Sequence, residues 1–152
     1  MDKAKSIWSS IVKVTIVVNY TNLDQLAKLR ASIKEVGLNI HECVILCIVS
    51  DRKEKNTMRE QNSVVFLNEK EINLLGRIKN AEASKLFARK FDLLLIIDEL
   101  PKKIEKQLTK LRATMKVGLN TENVNLDIRL SSNSKNQLHL LEFVKDTLGK
   151  IN

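Results

Sequence analysis

Polar and charged residues follow three apolar runs of this sequence, at places where a small ligand could bind. These candidate crevice residues are Asn19, Tyr20, Asp51, Arg52 and Asp98. If the runs are parallel strands, their carboxyl ends meet at one edge of the sheet, where ligands of open α/β sheets bind. The two aspartates could accept hydrogen bonds from ligand hydroxyls, the tyrosine could stack, and the arginine could hold an anion. The simpler interpretation is that Asp and Asn follow strands because they suit turns and helix caps.

Four lysines form a second group, called here the lysine face: Lys102, Lys103, Lys106 and Lys110. At about 100° per residue they fall within roughly one quadrant of a predicted helix, so they could contact the phosphates of a polyanion. Aromatic residues make up only 4% of the chain, which leaves few platforms for stacking nucleic-acid bases. The simpler interpretation is a solvated helix face.

Ile7, Trp8 and Ile11 form a third group, an apolar cluster near the start of the sequence. Trp is enriched at the centres of protein interfaces, so this cluster could contact a partner or a second copy of the chain. The alternative is that it docks onto the core of its own domain.

Other kinds of chemistry lack the residues that they need. The four glycines are scattered and form no phosphate-cradling motif. His41 and His139 have no second His or Cys at ligand spacing, so no metal site is predicted. No nucleophile elbow occurs either. The sequence therefore predicts no cofactor and contains no recognisable catalytic motif, which favours a protein that is not an enzyme.

Strands and helices alternate along the chain, and these elements must position the candidate groups. The predicted strands are Val12–Val18, Cys43–Val49, Ser63–Leu67, Phe91–Ile97, Lys116–Leu119 and Val124–Leu130. The predicted helices run from Asn22 to Val36, Asn68 through Leu75, Asn80 to Lys90, Pro101 to Met115 and Gln137 to Leu148, with a loop or a frayed helix over Ser50–Asn62. This alternation predicts a Rossmann-like, three-layer α/β/α sandwich on a largely parallel sheet. Val12–Val18, Cys43–Val49 and Phe91–Ile97 are apolar enough to be its adjacent central strands.

Length and composition are those of an ordinary globular domain: 152 residues, of which 43% are hydrophobic and 29% charged. We predict one domain over residues 1–152, with residues 1–11 as an N-terminal segment of unassigned structure. No apolar run approaches the roughly 18 residues of a membrane helix, and no signal-peptide pattern is present. We therefore expect a cytoplasmic protein with no membrane partner, in which Cys43 and Cys47 are buried thiols. The net charge of +8 permits contact with RNA or an acidic protein but requires neither.

Two segments carry a resemblance to known proteins. Phe66–Arg77 pairs a short capped helix with a glycine, and Lys90–Asp98 is a strand of the F-D-L-L-I-D type, followed by a helix and a K-V-G turn at Lys116–Gly118. With this pattern the chain resembles an uncharacterised family of small bacterial α/β proteins, most specifically over residues 66–118. The strand, helix and turn are also similar to the N-terminal Rossmann-like half of two-domain sugar transferases. The first resemblance implies the fold without an established activity, and the second implies a remnant transferase-like half-domain.

These observations together predict a non-catalytic binding or interaction module with a basic face, which contacts RNA, a ribonucleoprotein or an acidic protein. The alternative is a small-ligand-binding or remnant transferase-like half-domain that uses the crevice at the strand carboxyl ends. A structural homodimer is a third hypothesis.

Overall fold

A parallel β-sheet with helices on both faces forms the centre of the protein. The computed structural model describes residues 8–37, 42–50, 63–122 and 125–150. Within these residues the sheet has six strands: β1 (Val14–Asn19), β2 (Cys43–Ile48), β3 (Val64–Leu67), β4 (Lys90–Ile97), β5 (Arg112–Leu119) and β6 (Ile128–Leu130). Their order across the sheet is β3-β2-β1-β4-β5-β6, and every neighbouring pair is parallel. The prediction of a largely parallel Rossmann-like sheet is therefore confirmed, with β2, β1 and β4 adjacent at its centre.

The helices divide into two layers. They are α1 (Leu23–Glu35), α2 (Ala81–Phe87), α3 (Lys102–Leu108) and α4 (Gln137–Gly149), with turns of 3₁₀ helix at Trp8–Ser10 and Glu69–Glu71. The apolar sides of α1 and α4 pack on one face of the sheet, called here the first face. The apolar sides of α2 and α3 pack on the other, called the second face. Because the central strands are covered on both faces, they contain almost no polar residues.

The cysteines lie on the first face. Cys43 and Cys47 are free and buried, and burial raises the pKa of each thiol to about 12. Two residues of one strand that are four apart point to the same face but are too far apart for a disulfide. Both therefore act as small apolar core residues, as predicted.

One predicted helix is only a turn. The segment from Asn68 through Leu75 forms a single 3₁₀ turn at Glu69–Glu71. Asn73 prevents its continuation, because its side-chain oxygen accepts hydrogen bonds from the backbone N–H groups of Leu75 and Arg77, each at 2.9 Å. These bonds form a tight turn instead of a helix.

A second predicted helix was too long. The prediction from Pro101 to Met115 is correct over α3, but the helix ends at Leu108, and β5 begins at Arg112. Thr109 follows the helix, and its hydroxyl donates to the carbonyl oxygen of Lys106 at 2.6 Å. Likewise α2 ends three residues before the predicted Lys90, which opens β4.

The K-V-G segment is not a turn, whereas the predicted strand Lys116–Leu119 is confirmed as the end of β5. Lys116, Val117 and Gly118 lie within β5. Gly118 lets the side chains of Thr121 and Leu126 pack closely against the strand, because a Cβ atom added there would lie 2.6 Å from Thr121 Cγ2 and closer still to Leu126 Cδ1. The segment Ser50–Asn62, predicted as a loop or a frayed helix, lies outside the described residues apart from Ser50. The predicted last strand Val124–Leu130 was too long: Val124 lies outside the described residues, and β6 begins only at Ile128.

Candidate functional site

A polar cleft lies at the carboxyl ends of the central strands. It has a volume of about 1030 Å³ and is bounded by the ends of β1 and β4, by Asp98 and Asn120, by one side of α1 from its N-cap to Glu35, and by residues 132–138 and Leu140, which lead into α4 and form its first turn. In the sheet, β1 lies between β2 and β4. The chain continues from β1 to β2 on one side, and the later strand β4 lies on the other side. The cleft therefore lies where the strand order reverses, which is the usual ligand site of open parallel sheets.

Two residues in left-handed backbone conformation form the floor of this cleft. Asp98 follows β4 with φ of 67°, and Asn120 follows β5 with φ of 59°. Their backbone N–H groups continue the sheet ladder, to the carbonyl oxygens of Leu119 and Leu130 at 2.8 Å each. Residues other than Gly adopt this conformation rarely, and Asn and Asp are the types that tolerate it best. This conformation redirects both side chains at the carboxyl ends of the strands, away from the positions that they would take if the strands continued.

The side chains of Asp98 and Asn120 are coupled. Asn120 Oδ1 accepts a hydrogen bond from the backbone N–H of Ser132 at 2.8 Å, so its amide nitrogen is the group that donates to Asp98. Burial is the main effect on the pKa of Asp98 and raises it above the ordinary value; the Asn120 hydrogen bond lowers it, and the charge of Glu99 raises it again. The cleft thus holds a partly desolvated carboxylate, a good acceptor for ligand hydroxyls.

Two long helices point their N-termini at the cleft. Asn22 caps α1 by accepting from Gln25 N at 2.8 Å, and Asn136 caps α4 by accepting from Leu138 N at 2.9 Å. Each helix has 13 residues, so each places the positive end of a substantial dipole at the cleft wall. Lys28, Lys135, Asp24 and Glu35 also line the wall, and Lys28 Nζ is paired with the Asp24 carboxylate at 3.1 Å. The two helix N-termini and Lys135 are therefore the part of the cleft that favours an anionic group.

One wall atom has no hydrogen-bond partner. Gln137 Oε1, at the start of α4, is buried without a donor among the described residues, and Gln137 lines the cleft. A buried acceptor without a partner is uncommon in folded proteins. A hydroxyl or amide donor of a ligand, or a water molecule, would satisfy it.

The predicted crevice residues are distributed differently. Asn19 and Asp98 line the cleft together, and the Asn19 amide is fixed by donating to the Glu99 carbonyl oxygen at 2.8 Å. Tyr20 packs against the core, with its ring edge-on to Phe66 at 5.6 Å between centroids. Asp51 and Arg52 lie outside the described residues.

Sequence reasoning missed the other polar residues of the cleft. Asn120 directly follows Leu119, the predicted end of a strand, so the rule that singled out Asp98 would have found it. Ser132, Asn136 and Gln137 lie in a serine- and asparagine-rich connector and helix start, which the sequence alone presents as a turn and a cap. Their proximity to β4 depends on where α4 packs.

The lysine face is on the other side of the sheet from α1 and α4. Lys102, Lys103 and Lys106 are exposed on α3, and Lys110 is exposed in the turn that follows it. Their contact with RNA or another polyanion stays a prediction.

The N-terminal apolar cluster contacts the domain itself. Trp8 and Ile11 pack against the core of the first face, and the turn Trp8–Ser10 contacts α4. Ile7 lies outside the described residues. The homodimer hypothesis stays a prediction.

Two further features are absent from the described part of the chain. No group of three or more His, Cys, Asp or Glu side chains there could hold a metal ion. None of the described helices has the length and apolar character to cross a membrane. His41 lies outside the described residues.

Comparison with solved structures finds the same fold in a sugar transferase. The E. coli heptosyltransferase WaaC with ADP matches 92% of this chain and 48% of its own, with a TM-score of 0.56 and 12% identity. The same enzyme with ADP-2-deoxy-2-fluoro heptose matches 92% of this chain and 49% of its own, with a TM-score of 0.54 and 12% identity. The chain thus spans about half the length of these structures, and at this identity the likeness concerns the fold. No curated protein matches the sequence. The family model of DUF6913, a family of unknown function, matches residues 1–151, and the chain therefore belongs to this family.

Proposed function

We propose that this protein is a binding module whose polar cleft takes a small ligand with both hydroxyl groups and an anionic group, in the class of sugar phosphates and nucleotide sugars. The position of the cleft carries the proposal. It lies where the strand order reverses, between the N-termini of α1 and α4, and both features favour bound ligands with phosphate groups.

The chemistry of the walls determines the proposed orientation of the ligand. The anionic group lies towards the two helix N-termini, near Lys135. The hydroxyl groups lie towards the Asp98 carboxylate and the amides of Asn19 and Asn120. Because these three side chains follow neighbouring strands, they can contact one ligand at the same time.

The fold comparison supports the choice of ligand class to test first. The two heptosyltransferase structures hold ADP and ADP-2-deoxy-2-fluoro heptose. At 12% identity the likeness concerns the fold, so these ligands only suggest which compounds to test first.

Binding without turnover is the simplest form of this proposal. No His or Cys is found among the described residues that line the cleft. The hydroxyl oxygens of Ser132 and Ser134 accept hydrogen bonds from the backbone N–H groups of Ser134 and Asn136, respectively. We propose the cytoplasm as the place of action, which the two unpaired cysteines support.

A thermal-shift titration with ADP, ADP-glucose, UDP-glucose and glucose 1-phosphate tests the proposal. At a ligand concentration about 100-fold above Kd, binding stabilises the folded state by about 2.7 kcal/mol, which raises the Tm of a domain of this size by about 5–10 °C. Asp98→Asn should weaken binding by about tenfold or more, because a charged acceptor is lost. The matched control is Asp146→Asn, on an exposed residue of α4, and should leave binding unchanged.

A second pair of variants tests the anionic end of the ligand. Lys135→Gln should weaken binding of the phosphate-containing ligands, whereas Lys150→Gln, at the opposite end of α4, should not. If none of the four compounds raises the Tm, or if the control variants lose as much affinity as the cleft variants, the proposal is wrong.

A further inference from the structure

A hairpin on the second face presents two leucines to solvent. Leu74 is 98% exposed and Leu75 is 82% exposed, whereas the other exposed large hydrophobic residues of the described chain lie between 37% and 53%. We call this pair the leucine tip. Single exposed apolar residues are ordinary, but two neighbours that are this exposed bury little apolar surface and so contribute little to the stability of the fold.

The leucine tip is held on a well-ordered turn. Asn73 Oδ1 accepts from the backbone of Leu75 and of Arg77 at 2.9 Å each, and Gly76 N donates to the Asn73 carbonyl oxygen at 2.9 Å. Below the turn, Ile72 and Ile78 form an antiparallel bridge. The exposure of the leucines is therefore a property of a defined backbone conformation.

Cationic side chains surround this tip. Gln107 Nε2 of α3 donates to the Gly76 carbonyl oxygen at 2.8 Å, which joins the hairpin to the helix. Lys110 extends over the same turn, with its ammonium group 3.3 Å from the position of a Cβ atom on Gly76. Lys103 lies one turn before Gln107 and therefore on the same side of α3. Arg77 is exposed on the hairpin itself.

We propose that the leucine tip and its flanking cations dock this protein onto the surface of an anionic lipid bilayer. The tip is convex, so a partner must accept a protruding apolar group, and the interfacial region of a bilayer does so without a preformed pocket. When the two leucines enter the interfacial region, anionic lipid headgroups complement the positive charges of Arg77, Lys103 and Lys110. RNA bases stack on flat aromatic or guanidinium groups, so RNA fits two convex leucines less well.

This inference is independent of the polar cleft, because the hairpin packs on the second face and the cleft lies between α1 and α4. It departs from the sequence-based expectation of no membrane partner. That expectation rested on the lack of a spanning segment, and interfacial docking needs none.

Vesicle co-sedimentation of the full chain tests the proposal. Vesicles of phosphatidylcholine with phosphatidylserine should bind the protein, and phosphatidylcholine vesicles should bind it far more weakly. Leu74→Ser/Leu75→Ser should reduce the partition coefficient by about tenfold or more. Lys103→Gln/Lys110→Gln should reduce it by about fivefold per lysine, and added salt should act in the same direction.

Matched controls are available on the first face. Leu23 is 53% exposed on α1, so Leu23→Ser removes an exposed leucine elsewhere and should leave vesicle binding unchanged. Lys34→Gln/Lys150→Gln makes the same change in net charge away from the hairpin and should have little effect on vesicle binding. All variants should retain the thermal stability of the original protein, because the replaced side chains are exposed.

Two results would overturn the proposal. One is equal binding of the original protein and the leucine-tip variant to anionic vesicles. The other is binding of single-stranded RNA that depends on the lysines but not on the leucines, with no binding to either kind of vesicle. That second result would instead favour the polyanion hypothesis for the lysine face.

Discussion

Gly118→Ala should destabilise the folded protein by about 2 kcal/mol. The added methyl group would lie 2.6 Å from Thr121 Cγ2 and closer still to Leu126 Cδ1, whereas non-bonded carbon atoms are at their optimum at roughly 3.5–4.0 Å. Both side chains must therefore move, and Leu126 packs on the apolar core of the second face. Overpacking of this kind typically costs about 1–3 kcal/mol.

Thermal and urea denaturation followed by circular dichroism would measure this effect. For a domain of this size, 2 kcal/mol corresponds to a decrease in Tm of about 4–8 °C. The control is Gly149→Ala, where an added Cβ would have no heavy atom within 4 Å; this helical position should be neutral or slightly stabilised. Adding Leu126→Ala to Gly118→Ala should reduce the apparent cost, because the two sites share one space.

An unchanged Tm for Gly118→Ala would refute this reasoning. It would mean that Leu126 does not pack over Gly118. The glycine would then have no packing role.

Three further predictions concern the Asp98 carboxylate, a buried asparagine and the two buried cysteines. Asp98→Asn should raise the Tm at neutral pH, because partial burial raises the pKa of this carboxyl. For the same reason, the stability of the original protein should increase as the pH falls from that raised pKa to 3.8, the ordinary value. Denaturation of both proteins as a function of pH would measure the difference. Asn68→Ala should destabilise the fold by about 2–3 kcal/mol in urea denaturation, because Asn68 is 1% exposed and its side chain donates to the Val49 carbonyl oxygen at 2.8 Å. Cys43 and Cys47, each with a pKa of about 12, should resist iodoacetamide at pH 8 until denaturant is added, so rapid alkylation of the native protein would contradict their burial.

The central strands were predictable because they are buried on both faces. A strand in that environment needs an apolar residue at nearly every position, and the sequence therefore identifies β1, β2 and β4 directly. The helices α1 and α4 were predictable for a related reason, since their apolar residues recur at helical spacing after an asparagine cap. The parallel arrangement follows from the alternation of these elements.

The errors arose where two patterns fit the same residues. Leu111 and Met115 continue the helical spacing of α3, but Leu111 packs in the core of the second face, and Met115 lies on β5 and packs on the first. At the hairpin, the capping box of Asn68 and Glu71 does form, yet the side chain of Asn73 ends the helix after one turn. Such local competition for backbone hydrogen bonds is difficult to evaluate from sequence.

The candidate cleft was predictable only in part. Asn19 and Asp98 could be identified because polar residues after buried strands are visible in the sequence. The left-handed conformation of Asp98 and Asn120 has no sequence signature beyond the residue types. The contribution of the α4 N-terminus depends on long-range packing of α4 against α1, which no local pattern specifies.

A ¹⁵N–¹H NMR titration with ADP-glucose and glucose 1-phosphate tests the proposed cleft most directly, because backbone amides report where a ligand binds. Saturable shifts should concentrate at Asp98, Asn120 and Ser132 and at the first turns of α1 and α4. Shifts confined to α3 and the leucine tip, or no saturable shifts with either compound, would contradict the assignment of this cleft as the ligand site.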